Sequence, residues 1–214
     1  MTTISALKGR DFIIIGADSQ ITSNNLKLPF DYQKIQRVGS NLVAGSGSVG
    51  YIQRLLAIAL KNLRIEKILA DNLDLSPTLE ELAKELAELN FSLPLEHRHF
   101  NSFSFLLGGL DENETPALVS VGSEGSLIKI PTYFSDGSGS DFCISCLSQE
   151  YKPDLHMKEA LKLIFKSLEV STGLDCYTNK NPFVAILFLD GSGEKWEVKE
   201  FHNIQEVEDW TCTI

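Results

Sequence analysis

Two β-rich runs at the start of the chain most constrain its fold. Thr2 to Leu7 and Asp11 to Ala17 are dominated by β-branched and apolar residues, and only Lys8-Gly9-Arg10 separates them. Runs of this kind on either side of a short glycine-containing turn are typical of an antiparallel hairpin. Because the hairpin would begin with the first residues, we expect the N-terminus to be part of the fold.

The rest of the chain alternates groups of strands with pairs of helices. A second hairpin is predicted at Ile35 to Val38 and Asn41 to Ala44, and apolar residues recur at helical spacing from Val49 to Leu69. Ser76-Pro77 resembles an N-cap followed by proline, so a second helix is expected after it. Further strands are predicted at 102–107, 117–121, 127–130, 182–189 and 195–201, and further helices at 142–147 and 155–170. This order predicts an α+β fold, a four-layer αββα sandwich of two antiparallel sheets with the helices outside, in one domain over residues 1–214.

Composition and charge exclude some classes of function. Of the 214 residues, 43% are hydrophobic and 22% charged, which is ordinary for a globular protein with a substantial core. The net charge is −10 and no run of lysine or arginine could neutralise phosphates, so nucleic acid and anionic membranes are poor partners. The early apolar stretch Phe12 to Ile15 is far shorter than the roughly 18 residues of a membrane span, and no signal peptide precedes it. We expect a cytoplasmic protein.

Cysteine and histidine spacing gives no metal site. The four cysteines lie in apolar or mixed surroundings and are expected to be reduced thiols. Cys143 and Cys146 lack a second Cys/His pair at zinc spacing. His97 and His99 lie in a charged loop without a third ligand nearby. We therefore predict no metal and no other cofactor.

A glycine-rich turn offers a competing interpretation. Residues Gly45 to Gly50 fit the pattern G-x-G-x-x-G, follow a predicted strand and open a predicted helix, which is the setting of a dinucleotide-binding turn. The preceding strand, however, is predicted to pair locally with its neighbour. About twenty residues later Glu66 lies inside a helix and not at the end of a second parallel strand. Nucleotide binding is therefore the weaker hypothesis.

Thr2 carries the candidate chemistry. Methionine before a small residue is normally removed, which would leave Thr2 with a free α-amine beside its hydroxyl. That amine, with an ordinary pKa of about 7.7–8.0, can accept the hydroxyl proton near neutral pH. Asp18 ends a strand and Lys34 begins one; a lysine near the hydroxyl would lower its pKa, and a carboxylate would keep the lysine charged. Spacing alone favours the structural interpretation, in which Asp18 is a turn residue and Lys34 a solvated strand end.

Six short motifs stand in a fixed order along the chain. In order and approximate spacing they resemble those of proteasome β subunits, which are N-terminal nucleophile hydrolases, and the likeness runs from Thr2 to about Phe201. Two of the motifs also resemble the bacterial HslV-type protease. The motifs are Thr2-Thr3-Ile4, Gly16-Ala17-Asp18-Ser19-Gln20-Ile21-Thr22, Lys34-Ile35, Ala44-Gly45-Ser46, Gly137-Ser138-Gly139-Ser140 and Asp175-Cys176-Tyr177-Thr178.

The resemblance implies a role for each matching residue. Thr2 would be nucleophile and base, tuned by Asp18 and Lys34, and the backbone N–H of Gly45 would stabilise the oxyanion. Ser138 and Asp175 would orient the terminal amine and a water, although the residues alone favour a flexible turn for Ser138 and a helix C-cap for Asp175. Three further positions complete the site: Thr178 in place of the usual serine, and Thr22 and Ser46 along a cleft for extended peptide. Asn179 replaces the usual glycine.

The resemblance therefore implies peptide-bond hydrolysis through a threonyl ester. It also implies peptide or unfolded-protein substrates, a homo-oligomeric ring and a possible ATPase partner. Two alternatives remain open from the sequence. One is a ring subunit without activity that serves as scaffold, and the other is a stand-alone amidohydrolase or peptide ligase that uses Thr2.

Overall fold

The computed structural model describes residues 2–23, 26–94, 103–179, 181–190, 192–193 and 195–211. The strands are β1 Thr3–Lys8, β2 Phe12–Ala17, β3 Gln20–Ser23, β4 Leu26–Asp31, β5 Ile35–Val38, β6 Asn41–Gly47, β7 Phe103–Leu110, β8 Pro116–Val121, β9 Leu127–Ile130, β10 Tyr133–Gly137, β11 Phe183–Leu189 and β12 Trp196–Phe201. The helices are α1 Val49–Leu69, α2 Leu79–Ser92, α3 Ser140–Glu150, α4 Met157–Leu174 and α5 Ile204–Thr211.

The strands form two five-stranded antiparallel sheets and one small ribbon. The first sheet has the order β10-β1-β2-β11-β12, the second β5-β6-β7-β8-β9, and β3 pairs with β4 alone. One apolar cluster lies between the two sheets, a second joins the first sheet to α3 and α4, and a third joins the second sheet to α1 and α2. The predicted αββα sandwich is therefore confirmed.

The first hairpin shows why the chain begins with apolar runs. Ile4 lies opposite Ala17, and the pairing continues antiparallel to the turn. Ile13 and Ile15 point between the sheets, whereas Ile14 points toward the helices. Because strands alternate their side chains between faces, a strand covered on both faces needs an unbroken apolar run. The hairpin prediction is confirmed, and so is the second hairpin, in which Gly39 at the turn has a φ of +61°.

The N-cap predicted for the second helix is wrong by two residues. Helix α2 begins at Leu79, and its cap is Thr78. Thr78 Oγ1 accepts from the Glu81 N–H at 3.2 Å, and the Glu81 carboxylate accepts from the Thr78 N–H at 2.8 Å. This reciprocal pair satisfies two backbone donors, which Ser76 before proline could not do.

Several elements were not predicted from the sequence. The β3–β4 ribbon, strand β10 and helix α5 were missed. Helix α3 extends beyond the expected 142–147 at both ends, whereas α4 begins two residues later than the expected 155–170 and ends four residues later. Strand β10 is the most consequential omission. It pairs with β1, with Gly137 opposite Thr3, and so delivers the segment after it to the start of the chain.

The topology contradicts the dinucleotide-binding alternative. The glycine-rich segment spans the end of β6 and the start of α1, but both neighbours of β6, strands β5 and β7, run antiparallel to it. A dinucleotide-binding turn belongs to a parallel βαβ unit, and β6 is not part of one.

Candidate active site

Thr2 lies immediately before β1 and is held through its backbone. Its carbonyl oxygen accepts from the Ser138 N–H at 2.8 Å, and the Ser138 hydroxyl lies 3.4 Å from the same oxygen. Gly137 makes this approach possible, since its φ is +95° and a Cβ there would lie 1.8 Å from the Thr2 oxygen. The segment after β10 can therefore wrap around Thr2 only if residue 137 is glycine.

Asp18 and Lys34 form a buried ion pair beside this segment. Their side chains are 1% and 2% exposed, and Lys34 Nζ donates to Asp18 Oδ1 at 2.7 Å. The same carboxylate oxygen accepts from the Thr3 N–H at 2.8 Å, and Oδ2 accepts from the Gln20 N–H at 2.9 Å. Asp18 thus fixes the lysine against the backbone of the residue that follows Thr2.

Burial changes the acidity of this lysine. Removal from water lowers the pKa of Lys34 below its usual value, and the negative charges of Asp18 and Asp175 oppose this shift only in part. A lysine with a lowered pKa gives up its proton more readily than a solvated one. Pairing with Asp18 is therefore what favours the charged form of Lys34 in this buried position.

A second carboxylate lies on the other side of the N-terminal segment. Asp175 Oδ2 accepts from the hydroxyls of Ser138 and Thr178, each at 2.6 Å, and Oδ1 accepts from the Tyr177 N–H at 3.1 Å. Burial alone would raise the pKa of Asp175, but these hydrogen bonds outweigh it and the pKa is lowered. Asp175 is also the C-cap of α4, as the residues alone suggested. It is therefore both a helix cap and a member of this polar cluster.

Thr3 links the two carboxylate groups, and the sequence analysis gave it no role. Its N–H binds Asp18, while its Oγ1 lies 2.6 Å from Thr178 Oγ1 and accepts from the Gly139 N–H at 3.1 Å. In the sequence, Thr3 looks like any other threonine in a buried strand. Its contacts with Thr178 and Gly139 become visible only when the structure brings β1 next to the segment 137–139.

Asn179 explains the loss of the usual glycine. Its Oδ1 accepts from the Ser19 N–H at 3.1 Å, and its Nδ2 donates to Asp31 Oδ1 at 2.9 Å. The side chain is 9% exposed and ties the loop after Asp175 to the end of β4. Side-chain hydrogen bonds therefore hold this loop where a glycine would depend on backbone conformation alone.

Gly45 lies at the point where β6 loses one partner. Strand β5 begins at Ile35, opposite Ala44, so that in the described chain Gly45 to Gly47 pair only with β7. A Cβ on Gly45 would lie 2.5 Å from Cγ2 of Ile52 in α1, which requires glycine at this position. An edge of three residues is thereby left available for another backbone.

A cleft of about 480 Å³ opens at this edge. It brings together Thr2, Ser46 and Ser138 of the predicted site. Gly45 directly precedes the lining residues, whereas Thr22 lies in the β3–β4 ribbon, where its hydroxyl accepts from Gln20 Nε2 at 3.1 Å. A larger cavity of about 620 Å³ is lined by Asp175, Thr178 and residues of β4, and Thr2 is not among its lining residues. The cleft at Thr2 is therefore the candidate substrate site.

The two cysteines considered for metal binding are not among the residues that line this cleft. Cys143 and Cys146 are buried in the apolar cluster beneath α3, where burial raises the pKa of both thiols. The three cysteines of the described chain are free thiols. His97, His99 and Cys212 lie outside the described residues. No helix in the described ranges combines the length and apolar character needed to cross a bilayer.

Comparison with known proteins identifies the family. The family model "Proteasome subunit" matches residues 1–187. Proteasome subunit beta of Nanoarchaeum equitans is 28% identical over 200 residues, covering 89% of this chain and 98% of the relative. Proteasome subunit beta 2 of Pyrococcus furiosus is 29% identical over 196 residues, covering 90% of each. Proteasome subunit beta 1 of Thermococcus kodakarensis is 24% identical over 207 residues, covering 96% and 97%. The chain therefore belongs to the proteasome subunit family, and the family resemblance found in its sequence is confirmed.

Proposed function

We propose that this protein is a threonine peptidase that cleaves peptide bonds through Thr2 after removal of Met1. One observation carries the proposal: the Asp18–Lys34 pair and the Asp175–Ser138 pair hold the first residues from two sides, beside an open strand edge. The membership of the proteasome subunit family supports it. A scaffold would have no use for a buried lysine with a lowered pKa beside its N-terminus.

Thr2, Gly45 and Lys34 would each have a separate role in forming the ester. The Thr2 hydroxyl oxygen bonds to the substrate carbonyl carbon while its proton passes to the free α-amine of the same residue. The N–H of Gly45 stabilises the negative oxygen that forms, and Lys34 lowers the pKa of the hydroxyl. The amine then returns the proton to the leaving nitrogen as the peptide C–N bond breaks, which leaves a threonyl ester.

Water completes the cycle at the same place. A water molecule attacks the ester carbonyl, passes one proton to the α-amine, and the amine returns it to the Thr2 oxygen as the ester breaks. Ser138 and Asp175, which are hydrogen-bonded to each other, would orient the amine and this water. Thr178 would keep the carboxylate in place. No cofactor takes part in this scheme.

The substrate would bind as an added strand. The free edge from Gly45 to Gly47 offers backbone groups to an extended peptide, and Ser46 lines the cleft. We propose that the peptide also reaches Thr22 in the β3–β4 ribbon. Unfolded segments and peptides can present such a backbone, whereas folded domains cannot. Peptides or unfolded proteins are therefore the proposed substrates.

Assembly would control access to this edge. An open cleft that accepts any extended backbone would degrade unfolded chains in the cytoplasm, and a closed ring of copies encloses it. Exposed apolar side chains at the ends of α1 and α4 suit contacts between copies, namely Ile65, Ile68, Leu69, Val170 and Leu174. We propose a homo-oligomeric ring of at least six subunits in the cytoplasm, with a possible ATPase partner. Light scattering that gave the mass of a monomer or dimer would contradict the ring.

Replacement of Thr2 tests the proposal. Thr2→Ala removes the nucleophilic hydroxyl. Because Thr2 is buried but belongs to none of the apolar clusters, turnover of a fluorogenic peptide should be lost while circular dichroism and oligomeric mass stay unchanged. Thr2→Ser keeps the hydroxyl and should retain turnover. Intact mass should show the loss of one methionine in the active protein. Full turnover by Thr2→Ala would exclude Thr2 as the nucleophile.

A further inference from the structure

One charged side chain lies in the candidate substrate cleft and has no part in the mechanism above. Among the side chains of the described residues that line this cleft, that of Asp136 alone carries a charge. The others are small, hydroxylic or aromatic: Thr2, Ser46, Gly47, Phe103, Ser104, Gly122, Ser123, Gly137 and Ser138. The cleft therefore contains a negative charge without a basic side chain among its lining residues.

The fold orients the Asp136 carboxylate. Asp136 is in β10, opposite Ile4, one residue before Gly137. One carboxylate oxygen accepts from the Gly137 N–H at 2.6 Å, and the other accepts from the hydroxyl of Ser104 in β7. A carboxylate offers about four lone-pair positions, so two acceptor positions remain for a ligand.

No lysine or arginine of the described chain forms an ion pair with this carboxylate. The buried Lys34 pairs with Asp18 and is not among the lining residues. Because Asp136 is only half-buried, its ionised form stays hydrated until a ligand enters the cleft. The net charge of −10 would in addition attract cationic peptides toward the protein.

We infer that Asp136 selects substrates with a lysine or arginine side chain near the scissile bond. A basic side chain entering the cleft would form a charge-assisted hydrogen bond with the free acceptor positions of Asp136. The inference rests on the proposed peptidase function, since the cleft is the substrate site only if Thr2 is the nucleophile. Asp136 would be a specificity residue that touches the substrate and takes no part in proton transfer.

The decisive comparison uses peptides that differ in one charge. Arginine and its neutral near-isostere citrulline are placed in turn at each position next to the scissile bond of one fluorogenic sequence. We expect kcat/KM for arginine to exceed that for citrulline at one position by about tenfold, the scale for a hydrogen bond to a charged group. In Asp136→Asn, which keeps an acceptor for the Gly137 N–H, this ratio should fall to about one while the citrulline peptide is cleaved at nearly the unaltered rate.

A matched variant separates recognition from general electrostatics. Asp141→Asn removes one negative charge from the exposed first turn of α3, outside the cleft, and should leave the arginine preference intact. If Asp136 only holds Gly137 in place, Asp136→Asn should impair the two peptides equally. That result, or equal cleavage of the two peptides by the unaltered protein, would overturn the inference.

Binding keeps this test independent of turnover. Fluorescence anisotropy with labelled arginine and citrulline peptides on the Thr2→Ala protein should show the same preference, and Asp136→Asn in that background should abolish it. If no peptide is cleaved, the proposed function fails, and the binding experiment alone decides the role of Asp136. Equal affinity for the two peptides would then refute it.

Discussion

Replacing Lys34 by methionine separates the catalytic role of this lysine from its structural one. Methionine keeps most of the length and volume of the side chain but removes its charge and its hydrogen bond to Asp18. The Asp18 carboxylate, only 1% exposed, would be left without its cation. The substitution therefore perturbs both the free energy of unfolding and the proposed activation of Thr2.

The structure gives the expected size of the loss in the free energy of unfolding of Lys34→Met. Removing one partner of a buried ion pair typically costs about 3–5 kcal/mol, because an uncompensated charge remains. Asp18 would still accept from the N–H groups of Thr3 and Gln20 at 2.8 and 2.9 Å, so we expect about 3 kcal/mol, the lower end of the range. Turnover should fall by more than about a hundredfold, the scale for losing a group that acts directly on proton transfer.

Lys67 provides a matched control far from the cleft. It is also a buried lysine, 9% exposed, and pairs with Glu81 at 3.0 Å. Since the Glu81 side chain is 41% exposed, water can solvate it after Lys67→Met, and the cost should be about 1 kcal/mol. Since Lys67 lies in α1 beside the residues proposed for contacts between copies, light scattering would first establish that the oligomeric mass is unaltered; at equal mass the turnover of this variant should be unchanged.

Urea unfolding and peptide turnover would be measured on both variants at one protein concentration, because assembly would make apparent stability concentration-dependent. Turnover is compared at a temperature where circular dichroism shows each variant fully folded. A loss of less than threefold in turnover by folded Lys34→Met would refute the catalytic role. Equal destabilisation by the two lysine substitutions would refute the argument from burial.

Two further predictions concern the segments that hold Thr2. Gly137→Ala should destabilise the protein by about 2 kcal/mol or more in urea unfolding and abolish turnover, because of its φ of +95° and the 1.8 Å clash with the Thr2 oxygen. Gly173→Ala in α4, with no atom within 4 Å of the added Cβ, should stabilise by about 0.5–1 kcal/mol; a similar gain in Gly137→Ala would contradict the clash. The pKa of Asp175 is lowered in the folded state, so its carboxylate stabilises the protein above the unfolded pKa of about 3.9, and this contribution is lost as pH falls through the native value. The melting temperatures of the unaltered protein and Asp175→Asn should therefore differ at pH 7 and converge toward pH 2; a pH-independent difference would show that the carboxylate charge is irrelevant.

Local patterns determined a large part of this protein. The β-rich runs on either side of Lys8-Gly9-Arg10 predicted the first hairpin, and the alternation of strands and helix pairs predicted the αββα layers. The order of motifs from Thr2 to Thr178 predicted the proteasome family. These inferences succeeded because side-chain periodicity reflects which faces are buried, and burial dominates the stability of strands and helices.

Local patterns also failed where tertiary contacts decide. Strand β10 has little periodicity of its own and exists because β1 offers it a partner, and the α2 cap depends on a reciprocal bond between Thr78 and Glu81. The link from Thr3 to Thr178 joins residues 175 positions apart, which no local window contains.

The same division holds for the candidate site. The sequence alone supplied its residue types, a threonine near the N-terminus, a lysine and two carboxylates, and the family order gave them candidate roles. Only the tertiary structure placed Asp18 Oδ1 between Thr3 and Lys34, lowered the pKa of that lysine by burial, and turned Asp136 toward the cleft. The physical reason is that hydrogen bonds, burial and electrostatic fields depend on distance in space, whereas the sequence records only distance along the chain.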